Sequence, residues 1–198
     1  MDQANVVVGS GFLYTAPKGT AIPASVATTL PTGSTWTSNG FTEVGFTDDG
    51  VQVEYEPTFK DIDVDESMSA IDVRLIGEKL MINVKMAEAT LLNLASAIAG
   101  STLTESGGVT LLTIGNPANV DQGEIVLAFQ GPAPTSVPNS PTARVFYCTR
   151  AKAVAKVTYH AQRKDKVIYN VQFRALADAA QSAGAQLSHT YDYTQTGS

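Results

Sequence analysis

Five acidic side chains between residues 61 and 72 have a spacing that could bind a divalent cation. They are Asp61, Asp63, Asp65, Glu66 and Asp72. Counted from Asp61, they follow a twelve-residue calcium loop, but Glu66 stands where that loop needs glycine and Asp72 where it uses a bidentate glutamate. Ile62 and Val64 alternate with the acids. This alternation favours a β-strand with one solvent-facing side over a calcium site.

The other residue types used in catalysis lack the spacing that their chemistry requires. Gly9-Ser10-Gly11 is not a nucleophile elbow, in which glycines lie two residues either side of the serine. A phosphate-binding loop and paired His and Cys zinc ligands are also missing from the sequence. We expect His160 to lie on a polar strand face and Cys148, the single cysteine, to be a buried, unreactive thiol. We therefore expect a protein that is not an enzyme, with no catalytic residue, metal or cofactor.

Charge is divided into two opposed blocks, although the whole chain carries only −6. Between Glu43 and Glu78 there are eleven acidic and two basic residues, a balance of −9. Between Arg144 and Arg174 there are eight basic residues and one acidic residue, a balance of +7. Two interpretations stay open. The blocks are complementary to another copy of the chain, which would give rings or filaments, or they are two solvated strand faces of different sign.

Composition limits the cellular setting and the partners. A single cysteine excludes an intrachain disulfide. The sequence has no apolar run long enough to span a membrane, and its N-terminus lacks the basic and apolar segments of a signal peptide. The negative total charge argues against nucleic-acid binding through the overall field. We expect a soluble protein made in a reducing compartment.

Alternating apolar and polar residues predict that strands dominate the chain. Strands are predicted around residues 6–14, 80–86, 125–129 and 167–173. The most distinct hairpin is predicted from Val157 to Phe173, turning over residues 163–166. A second tight turn is predicted at Asp48-Asp49-Gly50, because glycine supplies the positive φ that such turns need.

One amphipathic helix interrupts the strands. Ala87, Leu91, Leu94 and Ile98 recur at helical spacing and predict a helix over about residues 88–99. The predicted fold class is therefore mainly β, an antiparallel β-sandwich or barrel-like fold with one short flanking α-helix and long loops or arms.

The 198 residues are expected to form one domain, 1–198. Residues 16–40 contain three prolines and a single charge, and the tail over about 178–198 is rich in Ala, Gln and Ser. A loop of about 25 residues inside a compact domain is unusual. We interpret the long loop 16–40 and the C-terminal arm as segments that are mobile in the free subunit and become ordered against a neighbouring subunit.

Acidic residues of two predicted strands form a candidate functional row. The row consists of Glu54, Glu56, Asp61, Asp63 and Asp65. Pro57-Thr58-Phe59 is predicted to connect the two strands, and one pairing register would bring all the acids onto one face. Because like charges opposed across strands destabilise a sheet, we infer that the row repels an anion or meets the basic block of a neighbour. Arg163, Lys164 and Lys166 crowd one turn and are candidates for that inter-subunit contact.

Several short motifs follow one another between about residues 40 and 175. They are Gly45-Phe46-Thr47-Asp48-Asp49-Gly50-Val51, Glu54-Tyr55-Glu56, Asp61-Ile62-Asp63-Val64-Asp65, Arg74-Leu75, Gly77-Glu78-Lys79-Leu80 and Ala87-Glu88-Ala89-Thr90-Leu91-Leu92-Asn93-Leu94. In this order they resemble the major tail proteins, or tail-tube proteins, of long-tailed bacteriophages.

The resemblance implies a structural subunit that assembles as stacked hexameric rings around the channel for DNA ejection. It implies a homo-oligomer in the virion tail, made and assembled in the host cytoplasm and in contact with tape-measure, terminator and baseplate-side proteins. Phage DNA would pass without specific binding, no membrane is involved, and the acidic row would line the lumen. Two alternatives stay open: a related terminator, contractile-tail or secretion-system tube protein, or a β-sandwich module that binds nucleic acid or another ligand.

Overall fold

The computed structural model describes residues 11–62, 69–115, 123–133, 141–158 and 167–194 of the chain. The strands within these ranges are β1 (Phe12–Pro17), β2 (Thr42–Glu43), β3 (Thr47–Ile62), β4 (Asp72–Met86), β5 (Thr102–Ser106), β6 (Val109–Thr113), β7 (Glu124–Pro132), β8 (Pro141–Ala153), β9 (Tyr169–Ala175) and β10 (His189–Thr194). The helices are a 3₁₀ turn at Ala24–Ala27, α1 at Gly33–Ser38 and α2 at Leu91–Ala97. The predicted mainly β fold is confirmed.

Eight strands form one sheet, and every pairing in it is antiparallel. The strand order is β2-β1-β7-β8-β9-β4-β3, and β10 also pairs with β8. β5 and β6 form a separate antiparallel hairpin that packs against α2. β3 ends the sheet, so one of its two edges has no partner strand among the described residues. The arrangement is compatible with the predicted β-sandwich.

The main core lies on one face of the sheet. Alternate residues of β4 and β9, among them Ile82, Val171 and Phe173, are almost completely buried there. Leu94 and Ala97 of α2 pack against the same cluster. The burial follows the alternation that predicted the strands, since successive side chains of a strand point to opposite faces.

A second core covers the other face at the β1–β7–β8 end of the sheet, and residues 16–40 build much of it. Trp36 of α1 is fully buried and stacks on Tyr14 with ring centroids 5.4 Å apart. Its indole N–H donates to the side-chain oxygen of Gln130 at 2.9 Å, and Val26 of the 3₁₀ turn is also buried. The segment expected to be a mobile arm therefore packs within its own chain, because it carries apolar side chains that the sheet buries.

α2 is shorter than predicted. Thr90 caps its first turn by accepting a hydrogen bond from the backbone N–H of Asn93, so the helix begins at Leu91. Glu88 lies before the helix, and its carboxylate accepts a hydrogen bond from the backbone N–H of Phe46. The Glu88 carboxylate therefore holds the loop that contains Phe46.

β3 is one continuous strand, although two turn signals lie within it. Asp49 and Gly50 have positive φ values of 61° and 74°, yet they form a bulge opposite β4. Pro57 is accommodated because β3 is an edge strand, where a missing N–H can face solvent. The predicted turn at 48–50 and connection at 57–59 are therefore wrong, and β4 is the strand that pairs with β3.

Part of the expected C-terminal arm belongs to the sheet. β10 pairs with the first half of β8, and the Arg144 guanidinium donates two hydrogen bonds, of 2.6 and 2.8 Å, to the Asp192 carboxylate. Tyr191 packs against the second core. β10 is thus held by its pairing with β8 of the same chain, without a neighbouring subunit.

The predicted hairpin over Val157–Phe173 is only partly visible. β9 begins at Tyr169 and pairs with β8, the strand that precedes it in the sequence and ends at Ala153. Val157 and Val167 are partly buried against the main core. Residues 159–166, including His160, lie outside the described residues.

Candidate assembly surfaces

The most exposed part of the main sheet is the far end of β3 and β4. We call residues Tyr55–Ile62 together with Ile71–Glu78 the distal hairpin. It extends beyond β9, which pairs with β4 only over Met81–Met86. No other described strand pairs with the distal hairpin. Its side chains are almost all exposed, and only at Tyr55 and Glu78 does another described segment, residues 177–188, line a groove beside it.

One face of the distal hairpin carries most of its large apolar side chains, together with two acids, Glu78 and Asp61. Tyr55 lies opposite the buried Leu80, so this face continues the row that forms the main core. The large exposed side chains are Tyr55 (54%), Phe59 (57%), Val73 (54%) and Leu75 (42%). Phe59 and Leu75 are direct cross-strand neighbours. An exposed apolar row of this kind marks an interaction surface more often than an ordinary monomer surface.

The opposite face of β3, β4 and β9 is polar and of mixed charge. Glu56 forms an ion pair with Lys79 at 3.0 Å, and Asp49 pairs with Lys85. The charged residues that the strand registers place on this face are Asp48, Glu54, Glu56, Lys60, Asp72, Arg74, Lys79, Lys85, Lys152 and Arg174. A groove of about 420 Å³ crosses the face beside the bulge of β3. Carboxylates and cations alternate here, so the surface is hydrophilic without being uniformly acidic.

The structure brings together only part of the predicted acidic row. Glu54 and Glu56 lie two residues apart on β3 and share the polar face. Asp61 lies opposite Val73, on the apolar side of the distal hairpin. Asp63, Asp65, Arg163, Lys164 and Lys166 lie outside the described residues. The sequence interpretation missed the apolar row, although Phe59, Val73 and Leu75 alternate with charged residues and could have indicated it.

Glu124, at the start of β7, links three segments through a nearly buried carboxylate, whose side chain is only 8% exposed. Arg150 donates to both of its oxygens, at 3.0 and 3.1 Å, and Lys18 lies 3.0 Å away. Arg150 also donates to the carbonyl oxygen of Ala177 at 2.9 Å. The hydrogen bond from Arg150 is the main reason that the pKa of Glu124 is lowered. The network ties the end of β1, β7 and β8 to the C-terminal segment.

Glu124→Gln is expected to make the free energy of unfolding depend less strongly on pH between pH 7 and pH 3. The pKa of Glu124 is lower in the folded state than the ordinary value of about 4.3, so the carboxylate stabilises the fold above that value. This contribution is lost as the pH falls through the folded-state pKa. We expect a loss of about 1–2 kcal/mol in the free energy of unfolding at pH 7, measured by denaturant titration from pH 7 to pH 3.

The matched control is Glu105→Gln, which removes the same charge from the exposed β5–β6 hairpin. It is expected to change the free energy of unfolding at pH 7 by less than about 0.5 kcal/mol. A Glu124→Gln profile that runs parallel to that of the unmodified chain would contradict the role of the network.

The described residues carry few features of an active site. The predicted burial of Cys148 is confirmed, and burial raises the pKa of its thiol to about 12, which disfavours the reactive thiolate. The part of the chain that is described holds no group of three or more His, Cys, Asp or Glu placed to bind a metal. Within the same ranges, no helix has both the length and the apolar character needed to cross a membrane.

An unpaired sheet edge and a hairpin with exposed apolar side chains are typical of a subunit that packs against other chains. A family model described as "Phage tail tube protein" matches residues 1–194. The chain therefore belongs to the phage tail tube protein family. Membership gives it a structural role in an oligomeric tube of the virion tail. No curated protein sequence matches the chain.

Proposed function

We propose that copies of this chain assemble into stacked rings that form the conduit for DNA during ejection. The observation that carries the proposal is the distal hairpin, on which Phe59, Val73 and Leu75 are about half exposed within the described chain. Burying apolar surface stabilises an assembly by roughly 25 cal/mol per Å². Covering this face with a neighbouring copy therefore supplies a driving force for assembly, and it removes a surface that would otherwise aggregate.

The free edge of β3 supports the same proposal. β3 is 16 residues long, and its outer edge presents backbone N–H and C=O groups without a strand partner among the described residues. Exposed edges of this length promote uncontrolled pairing, and proteins normally cover them. A neighbouring subunit that covers the β3 edge would extend the sheet around a ring.

The polar face of β3, β4 and β9 is the surface that we assign to the channel. Phosphates are attracted by Lys and Arg strongly enough to dominate non-specific DNA affinity. Two cations of this face are paired with carboxylates, Lys79 with Glu56 and Lys85 with Asp49. A wall on which carboxylates accompany the cations stays hydrated and holds phosphates less tightly than a purely basic surface, so we expect the DNA to slide without binding.

Glu54 and Glu56 are the described acids of this wall. Asp63 and Asp65 stay lumen candidates, while Asp61 lies on the apolar side of the hairpin and would face a subunit contact. Arg163, Lys164 and Lys166 stay candidates for contact with acidic residues of an adjacent subunit. Assembly in the host cytoplasm and contacts with other tail proteins belong to the same proposal.

The proposal is tested in virions that carry Glu54→Lys and Glu56→Lys together. The change removes two carboxylates and frees Lys79, so we expect tails of normal length that release DNA more slowly, with the delay shrinking at higher salt. The matched control is the pair Glu54→Gln and Glu56→Gln, which removes the charge without adding cations. Release is followed by the fluorescence of a DNA-binding dye, and tail length by electron microscopy.

Normal release from well-formed tails of the lysine variant would show that this face does not line the channel. Purified chain that gives neither rings nor tubes at any concentration in electron micrographs would contradict the assembly proposal itself.

A further inference from the structure

Asn39 and Gly40 form the single Asn-Gly pair of the sequence, and they lie at the C-terminal end of α1. Asparagine is a thermolabile residue, and its side chain reacts most readily with the backbone nitrogen of a following glycine, which has no Cβ to hinder the approach. Both residues are exposed, so water and hydroxide reach them. The pair is therefore a place where the chain can change covalently without an enzyme.

The reaction needs only water as a co-reactant. The backbone nitrogen of Gly40 loses its proton to hydroxide and forms a bond to Cγ of Asn39. The bond from Cγ to Nδ2 breaks, and ammonia leaves with a proton taken from water. Water then opens the resulting succinimide ring. Its attack at Cγ gives aspartate, and its attack at the backbone carbonyl carbon of Asn39 gives isoaspartate, in which the main chain runs through the former side chain.

The folded structure holds the pair away from this reaction. Asn39 has a ψ of 13°, which turns the Gly40 nitrogen away from the Asn39 side chain. Ring closure therefore requires a large rotation about the Cα–C bond, through a sterically disfavoured region. Both reacting groups are also hydrogen-bonded. Nδ2 of Asn39 donates to the carbonyl oxygen of Thr35 at 2.8 Å, and the N–H of Gly40 donates to the carbonyl oxygen of Thr37 at 3.1 Å.

The residues on either side of the pair are anchored in the second core. Trp36 and Phe41 are both buried, and their rings meet edge to face with centroids 5.0 Å apart. The backbone N–H of Phe41 also donates to the carbonyl oxygen of Trp36 at 3.1 Å. A large rotation within Asn39 would move these two aromatic residues apart. The pair therefore has to wait for a local opening of the second core before it can react.

We propose that Asn39 is a site of spontaneous conversion to aspartate and isoaspartate, and that the second core controls its rate. A folded chain opens locally for a fraction of the time that is set by the free energy of the opening. Tube assembly is not required, because the reaction involves one subunit alone. A subunit of a virion tail is not replaced by new synthesis, so even a slow reaction accumulates at this position.

The isoaspartate product does not fit the closed second core. It adds one carbon atom to the backbone between Trp36 and Phe41, whose rings and backbone groups are in direct contact. It also places a carboxylate at the C-terminal end of α1, where the helix dipole disfavours negative charge. The modified segment therefore does not close again, and an opening that leads to reaction becomes permanent.

The test compares the conversion of Asn39 in the folded chain with its conversion in the same chain unfolded in urea. Peptide mapping by mass spectrometry gives the rate, and methylation by an isoaspartyl methyltransferase identifies the isoaspartate. We expect the folded chain to react at least about thirtyfold more slowly, because only the locally opened chain reacts. Trp36→Ala, which removes the centre of the second core, is expected to react nearly as fast as the unfolded chain.

Two further variants guard against a Trp36→Ala chain that does not fold. Thr32→Ala removes the capping box of α1 but keeps every core side chain, and it is expected to raise the rate in the folded chain about fivefold, as the loss of an N-cap implies. Thr37→Ala leaves both the capping box and the core intact. It is the control and should react at the rate of the unmodified chain.

The fluorescence of Trp36 reports the consequence of the reaction, because the chain has one tryptophan. Aged chain that contains isoaspartate is expected to show red-shifted emission and faster proteolysis within residues 16–40. Asn39→Asp carries the charge of the product without the extra backbone carbon. This matched control is expected to keep the emission of the unmodified chain.

Equal rates at Asn39 in the folded and the unfolded chain would show that the geometry gives no protection. An unfolded chain that is not converted at Asn39 would overturn the site itself. Unchanged rates in both Trp36→Ala and Thr32→Ala would show that the second core does not control the reaction. Isoaspartate-containing chain with Trp36 still buried would contradict the proposed consequence. The assembly proposal is tested separately, by micrographs of the unmodified chain, and stands or fails independently of these results.

Discussion

Replacing Phe59 and Leu75 together with serine is expected to abolish tube formation without unfolding the subunit. The two side chains face each other across β3 and β4 on the apolar side of the distal hairpin, and they are 57% and 42% exposed. Neither side chain belongs to a buried core, so the free energy of unfolding of the monomer should change by less than about 0.5 kcal/mol per site. In the assembly each residue would be buried, and losing both would cost about 3 kcal/mol per contact.

A loss of that size lowers the equilibrium constant of each contact by more than about a hundredfold. The effect repeats at every subunit of a tube, so assembly should stop and not merely slow. Sedimentation of the purified chain and negative-stain electron microscopy measure the result directly. Urea titration of the same samples establishes that the variant monomer is as stable as the unmodified chain.

The neighbouring cross-strand pair provides a matched control. Lys60 and Arg74 also face each other across β3 and β4, but on the polar side of the hairpin. Replacing both with serine changes the same number of side chains on the same two strands. We expect this control to form tubes. Tubes from the Phe59 and Leu75 variant, or the absence of tubes from both variants, would contradict an apolar contact at this hairpin.

Trp36→Ala is expected to produce the largest loss of subunit stability. The side chain is fully buried between Tyr14 and Phe41, with ring centroids 5.4 and 5.0 Å away, and its N–H bonds to Gln130. Truncating a buried aromatic residue to alanine typically costs about 3–5 kcal/mol. The unpaired side-chain oxygen of Gln130 would add to this cost.

The measurement is the midpoint of urea unfolding, combined with limited proteolysis of the monomer. In the unmodified chain, residues 16–40 should resist cleavage, because they form the second core. Thr37→Ala, an exposed change on the same helix, is the control and should shift the free energy of unfolding by less than about 0.5 kcal/mol. Rapid cleavage of the unmodified segment, with no stability loss in Trp36→Ala, would restore the interpretation of this segment as a mobile arm.

The difference between a predicted arm and an observed core has a local cause. Three prolines and many Ser and Thr residues make residues 16–40 look like a linker. The sequence also contains a helix start, since Thr32 and Thr35 exchange hydrogen bonds as a capping box for α1. That signal and the single tryptophan four residues after Thr32 could have identified the helix, but only the surface provided by β1 and β7 determines that Trp36 is buried.

The faces of β3 could not be derived from the sequence for a related reason. Glu54, Glu56 and Asp61 lie in one strand, and the alternation of the strand separates Asp61 from the other two. The sequence interpretation placed a connection at Pro57, because proline disrupts an interior strand. Proline is tolerated here since β3 is the last strand of the sheet, and strand order is a property of the whole fold.

What the sequence alone determined is the set of local patterns. Alternation in segments such as Leu80–Met86 and Tyr169–Phe173 indicated strands and their buried faces, because side-chain direction in a strand depends only on position. The lone Cys148 and the absence of spaced ligands indicated a chain without an evident active site. The order of short motifs between about residues 40 and 175 indicated the tail tube family, which the match to residues 1–194 confirms.

Only the tertiary structure determines which apolar strand faces are covered by other parts of the same chain. Leu80 and Leu75 lie on the same face of β4, on either side of Glu78 and a register shift, yet Leu80 is buried and Leu75 is exposed, because β9 pairs with β4 only from Met81 onwards. Apolar residues occur on both sides of that boundary, Leu75 and Val73 beyond it and Leu80 and Ile82 next to β9. Whether an apolar residue belongs to a core or to an assembly surface therefore depends on the length of the strand beside it, which no local pattern specifies.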